Sequence, residues 1–381
     1  VTQKAERQYE LDILRILAIL YIVLHHYTFR GFAADNYSIL SFPQFTSVFK
    51  YGYLGVYLFL LISGYVMAMS APNKGLKDFT VSRLLRLFPL FWIAISIIAV
   101  VTLLIGADRF QVTPLQYLSN LTMFSENLGF APLDGAHWFM AVILRFNVII
   151  AIIIMFKLTK YQEYLVGIWL LLAGLVYFLD LPIIDFFVMP IYAPFIIGGI
   201  IFYLARTKGW SIYRYTVIIL SLAFAIYTQI KTSDLELHYQ TGFSSYVVSG
   251  LVLGFYLIFY LLTWQKRPLK LPGILALLGA ATFPLYLLHQ YIGYMIFDYF
   301  GESVDKYLLL SLTTIAMIAA SIVITKYVEP YVYSKSRKAV EATISATGRL
   351  FQKKIGEPQR GLETAADGID DEDPGPAGRF Y

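Results

Sequence analysis

Arg15 and His26 lie eleven residues apart in one apolar stretch, LDILRILAILYIVLHHY. At about 100° per residue that spacing makes roughly three turns, so on a helix both side chains leave the same face, roughly 16 Å apart along the axis. The helix then carries a fixed cation at one level and, at another, an imidazole that titrates near neutrality. An ionisable group in hydrocarbon costs at least about 2.5 kcal/mol, so two on one face point to use: an anion held at Arg15 and a proton moved at His26. The plainer alternative is that Arg15 snorkels to the interface and His26 ends an ordinary span. Asp12 falls on roughly the face of Arg15 and is expected to pair with it. His25 points about 100° away from His26 and reads as structural.

Other groups of reactive type recur at similar depth. Ser63 lies near the middle of a second apolar run, His137 and Trp138 at the mouth of a fourth, Arg145 well inside it, and His289 in a ninth. A mid-span Arg must find a partner or water. In a bundle these groups are expected to converge on one polar cavity, although Ser63-Gly64 also fits helix packing and His137-Trp138 fits an interfacial belt. Arg83 and Arg86, three residues apart in VSRLLRLFPLFW, share a helix face and form a two-pronged phosphate site, or else an ordinary positive anchor.

The elements that must position these groups are membrane spans. Of 381 residues 58% are hydrophobic and only 14% charged, against about a quarter in soluble domains. The expected fold is an all-α polytopic integral membrane protein with about ten spans: 11–29, 53–70, 84–105, 137–156, 165–179, 187–205, 215–230, 243–264, 274–297 and 308–328. Lys4 and Arg7, and then alternate loops carrying Lys74, Lys77 and Arg83, Lys157 and Lys160, Arg206, Lys208 and Arg214, and Lys266, Arg267 and Lys270, place both termini in the cytoplasm. The opposite loops carry Asp108, Glu126, Asp134, Asp180, Asp185, Asp234, Glu236 and Glu302. Residues 1–10 read as a cytoplasmic N-terminus, 11–333 as the transmembrane domain, 334–354 as a basic juxtamembrane segment suited to an amphipathic helix, and 355–381 as a disordered cytoplasmic tail. The chain has no cysteine, which excludes thiolate nucleophiles, zinc-thiolate and iron–sulfur sites. It also lacks HExxH, GxSxG and a Gly-rich phosphate loop, so no metal and no bound cofactor is expected, and nothing suggests nucleic acid.

The ordered series LDILRILAILYIVLHH, GVYLFLLISGY, RLLRLFPLFW, AHWFMAVILRF, FPLYLLHQ and VEP resembles the type 3 membrane acyltransferases, which O-acylate bacterial surface polysaccharides, nodulation factors and some macrolides. The family's Arg, ten residues, His signature falls on Arg15 and His26, its Ser-Gly on Ser63 and Gly64, its Arg-x-x-Arg on Arg83 and Arg86, and its late Tyr-Leu-x-His on His289. Glu329 is the acid of the VEP motif and is taken, with Asp12, as supporting. Many relatives carry an acid five or six positions after the fourth-span Trp. Here Ile143 and Leu144 stand there, and Arg145 follows.

The resemblance implies acetyl-CoA or another short acyl-CoA as co-substrate, a saccharide or glycoconjugate as acceptor, and the bacterial cytoplasmic (inner) membrane as location. Arg83, Arg86 and Arg15 would hold the donor while its arm threads toward His26. A sugar hydroxyl needs a general base, and His26 is the expected one. Ser63, His137, Trp138, Arg145 and His289 would orient the acceptor or support the oxyanion. Some relatives fuse a secreted esterase-like domain after the last span. None follows here, so the membrane unit either completes transfer or passes the acyl group to a separate extracytoplasmic partner. The rival reading is a transporter or flippase for a polar lipid-linked sugar, whose charges line a path. A polysaccharide polymerase would need larger external loops.

Overall fold

The computed structural model describes residues 7–356 apart from 35, 73, 232, 266–268, 270 and 271. The charges at Lys4, Lys266, Arg267 and Lys270, and the tail from 357 onward, lie outside the described residues. Among those described there is no strand, and ten helices are long and apolar enough to cross a membrane. The protein is an all-α, polytopic integral membrane protein.

The long helices are α1 (Tyr9–His25), α2 (Gly55–Ser70), α3 (Leu76–Ile105), α4 (Trp138–Met155), α5 (Gln162–Leu179), α6 (Ala193–Lys208), α7 (Ile212–Gln229), α8 (Ser245–Trp264), α9 (Gly273–Phe300) and α10 (Lys306–Val323). A further helix, α11, runs over Glu329–Gly356. Their ends follow local chemistry. Asp305 accepts the backbone N–H groups of Tyr307 and Leu308 at the start of α10, and Ser211 accepts that of Arg214 at the start of α7. The described residues up to 333 form one compact unit and those of 334–356 a second. In the second, Arg337 and Glu341 pair one helical turn apart at 2.8 Å.

Side-chain contacts set the helix directions. Arg7 donates to the Ala276 carbonyl, Asp12 abuts Gly279, His26 meets His289, and Gly31 abuts Tyr294, so α1 and α9 run parallel. Gly52 faces Tyr21 while Gly55 faces Ala18 and Ile22, so α2 runs back along α1. One end of the bundle therefore holds Asp12, Arg15, Ser70 and Arg83. The other holds His26, Arg30, Asp134 and Tyr291. Helices α2 and α6 approach closely: a methyl on Gly64 would strike the Ile196 carbonyl and one on Gly199 the Leu61 carbonyl. Small residues let the two backbones approach.

Two departures from regular α-helix lie beside the reactive groups. A π segment, His26–Arg30, follows α1, so the first span is not a straight α-helix through its histidines. Inside α9, Pro284 removes the N–H that the Ala280 carbonyl would have received, and Ala280 lines a cavity near Arg15.

Candidate active site

The first cavity, about 150 Å³, opens among Arg15, Ser63, Arg83, Arg86, Asn147 and Tyr286. Its cations are unevenly committed. Asp12 accepts from Arg15 at 2.9 Å and from Arg7 at 2.7 Å, which fixes Arg15 between a carboxylate and the cavity. Arg83 donates to Ser70 Oγ at 2.9 Å and lies over the Phe79 ring. Arg86 makes no hydrogen bond among the described residues, and the half-buried carboxylate of Glu329 is the acid that answers its charge. In the loop before α3, partial burial and the Arg83 charge hold the Lys74 ammonium below its ordinary range, with Asp78 opposing and Arg86 adding to the effect. Such a cluster of cations is suited to an anionic ligand.

At the inner limit of this cavity, the Tyr286 ring lies 5.9 Å from that of His289. His289 Nδ1 is 3.0 Å from the carbonyls of Leu285 and Tyr286. Carbonyls only accept, so this nitrogen carries the proton and Nε2 of the neutral ring is an acceptor. His26 Nδ1, 2.7 Å from that Nε2, must then donate to it. Consequently the basic lone pair of His26 is on Nε2, which makes no hydrogen bond among the described residues. His289 is 0% exposed while His26 retains 6%. Tyr27 steadies the pair by donating to the His289 carbonyl at 2.7 Å. His25 turns away, with Nδ1 2.9 Å from the Phe49 carbonyl, and packs among Phe29, Tyr53 and Tyr239.

A second cavity, about 250 Å³, lies toward the other end and is lined by Asn120, Ser125, Glu126, His137, Trp138, Arg145, Phe186 and Tyr192. The wall between the two cavities is α4 itself. Phe139, Met140, Ile143 and Asn147 face the first, while Trp138, Ala141 and Arg145 face the second, as a 3.6-residue period requires. The expectation of one cavity is therefore corrected: Ser63 shares the first with Arg15, and His137, Trp138 and Arg145 share the second. Ser63 and Gly64 also divide their roles, the serine facing the cavity and the glycine facing α6. Arg145 finds the carbonyls of Ala141 (3.3 Å) and Phe186 (3.0 Å) and lies over the Phe186 ring. Trp138 packs on Tyr192 with ring centroids 5.8 Å apart. His137 Nε2 donates to the Leu287 carbonyl at 2.9 Å.

Two functional candidates escaped the sequence reading. Asp134 counted there as a solvent-facing loop charge, yet it is 0% exposed. Its oxygens accept the N–H of Ala136 (2.8 Å) and of Tyr291 (2.9 Å), tying the loop before α4 to α9 beside His289. Tyr286, whose hydroxyl donates to the Ala136 carbonyl at 2.6 Å, strengthens the same tie. Its position three residues before His289, hence on the same helix face, was the available signal.

The site thus consists of two cavities divided by one helix, with an oriented histidine pair beside Tyr286. The acyltransferase-domain family matches residues 8–326, and the chain belongs to this type 3 acyltransferase family. It is also similar to "Putative acetyltransferase ORF330" of Acidianus two-tailed virus, with 25% identity over 254 residues, 64% of this chain and 74% of that protein. No solved structure matches. The protein is a membrane acyltransferase.

Proposed function

We propose that this acyltransferase moves an acetyl or other short acyl group from cytoplasmic acyl-CoA to a hydroxyl of a saccharide or glycoconjugate at the opposite face of a bacterial cytoplasmic (inner) membrane. The observation that carries the reading is the His26–His289 pair, which leaves a basic nitrogen on His26 beyond the arginine-lined cavity. With both termini cytoplasmic, Arg83 and Arg86 meet the nucleotide phosphates. The cavity of about 150 Å³ is smaller than the roughly 300–1,000 Å³ that encloses a whole drug-sized ligand, so it suits the pantetheine arm and the thioester. The second cavity, polar and walled by Trp138, Tyr192 and Phe186, suits a sugar.

In this reading the acceptor oxygen attacks the thioester carbonyl as His26 Nε2 takes its proton. The C–S bond then breaks and the proton passes to the departing thiolate. His289 orients His26 and accepts from its Nδ1–H. Since the His289 and His137 protons are committed to carbonyls, oxyanion support falls to the uncommitted hydroxyl of Ser63 in the first cavity, and acceptor contacts to Trp138 and Arg145 in the second. Direct transfer needs no covalent enzyme intermediate, and release of product at the acceptor face leaves room for a separate extracytoplasmic partner. Purified protein in liposomes with radiolabelled acetyl-CoA and surface-type oligosaccharides tests this. Label on the saccharide supports it, whereas saccharide movement without bond formation would favour a flippase.

A further inference from the structure

We infer that Arg30 is the recognition point for an anionic substituent of the acceptor, a carboxylate or a phosphate. This rests on the acceptor entering at the His26 end of the bundle, as proposed above. Arg30 closes the π segment that begins at His26, and the i→i+5 pattern puts it about one turn beyond the base along the same wall. Tyr37, Tyr239, Tyr291 and Tyr294 lie within electrostatic reach of its guanidinium, and neutral phenols are not a counter-charge.

Nearly every other arginine of the membrane unit has an acceptor among the described residues. Arg7 and Arg15 have Asp12, Arg83 has Ser70, Arg109 has Asp298, Arg145 has two carbonyls, Arg206 has Tyr65, and Arg214 has Glu163. Among the described arginines of the membrane unit, Arg30 and Arg86 are the two for which no hydrogen bond to a described residue is present. Arg86 lines the donor cavity. Arg30 lines neither cavity but lies at the His26 end of the bundle, with its Nε enclosed and unbonded among the described residues. Asp134, the acid whose charge acts on Tyr291 and Tyr294, is already engaged by two backbone N–H groups. The Tyr294 hydroxyl and the Gln290 amide, next in sequence to His289, pair with each other and have no further polar partner among the described residues. An enclosed guanidinium nitrogen without a partner is costly to fold around, and an acidic substituent supplies the oxygen that Arg30 lacks. Tyr37, stacked on Tyr294 and packed on Tyr291, gives the sugar ring an aromatic wall.

The test uses the full chain in liposomes with acetyl-CoA and three acceptors: a uronate-containing oligosaccharide, its methyl ester, and a phosphate-bearing sugar. Wild type should prefer an anionic acceptor, and whichever of uronate and phosphate is favoured names the anion. Arg30→Gln should raise KM for that acceptor at least about 10-fold, bring it level with the neutral ester, and leave KM for acetyl-CoA unchanged, with Arg30→Lys recovering part of the loss. Equal use of acid and ester by wild type, or an equal loss on every acceptor in Arg30→Gln, would overturn the inference while leaving the acyltransfer reading intact. No label on any saccharide would instead count against that reading, and the site would fall with it.

Discussion

Replacing the imidazoles at 26 and 289 separates the proton acceptor from the group that aims it. His26→Ala should lower turnover by at least about 10²-fold, as removal of a general base does. His289→Ala should cost less, about 10-fold, because His26 keeps its basic nitrogen and loses only the partner that fixes its tautomer. His25→Ala should leave turnover per folded molecule near wild type, since its ring faces Phe49 and Tyr53. Steady-state rates on folded, detergent-purified protein check all three, and a more severe His25 variant would reverse the assignment of faces on α1. At this scale sequence spacing served well where one regular helix was involved: Asp12, Arg15 and His26 could be placed from the 3.6-residue period alone. It did not reach the His26–His289 contact, which joins residues 263 apart, while Arg30, four residues after His26 and so on its face in any helix, was open to the same spacing argument.

Helices fix what single residues can do, and two of them carry distinct predictions. Gly64→Ala should destabilise the protein by about 1–3 kcal/mol, because the added methyl meets the rigid Ile196 carbonyl, while Ser63→Ala should leave stability unchanged. Thermal unfolding in detergent distinguishes them. On α3, Arg86→Ala should weaken CoA binding without lowering the unfolding temperature, whereas Arg83→Ala also gives up its bond to Ser70. Titration calorimetry with CoA measures this, and unchanged affinity in the double variant would return both residues to membrane anchoring. The ten spans were legible because hydrophobic runs of membrane length have few alternatives in water or lipid. The division into two cavities was not, since it depends on how α4 is rotated, and rotation is set by packing against neighbours. Asp134 was misread for a related reason: a loop acid beside a span reads as a topology signal, and only the fold shows that it latches that loop to α9.

Across the whole molecule, the proposed reaction draws donor and acceptor from opposite ends of the bundle. Family membership sets aside the flippase reading, since the chain shares an acyltransferase domain over residues 8–326. The decisive question is which end faces the cytoplasm. Asp134 is enclosed and unsuited to labelling, but Asp108, in the loop after α3, and Lys77, in the first turn of α3, are both exposed and lie at opposite ends of that helix. The chain has no native cysteine, so single cysteines at these positions report cleanly to a membrane-impermeant maleimide. Asp108→Cys should react in intact cells and Lys77→Cys only after lysis. Labelling of position 77 in intact cells, with position 108 protected, would put Arg83 and Arg86 on the side that has no acyl-CoA and contradict transfer across the membrane.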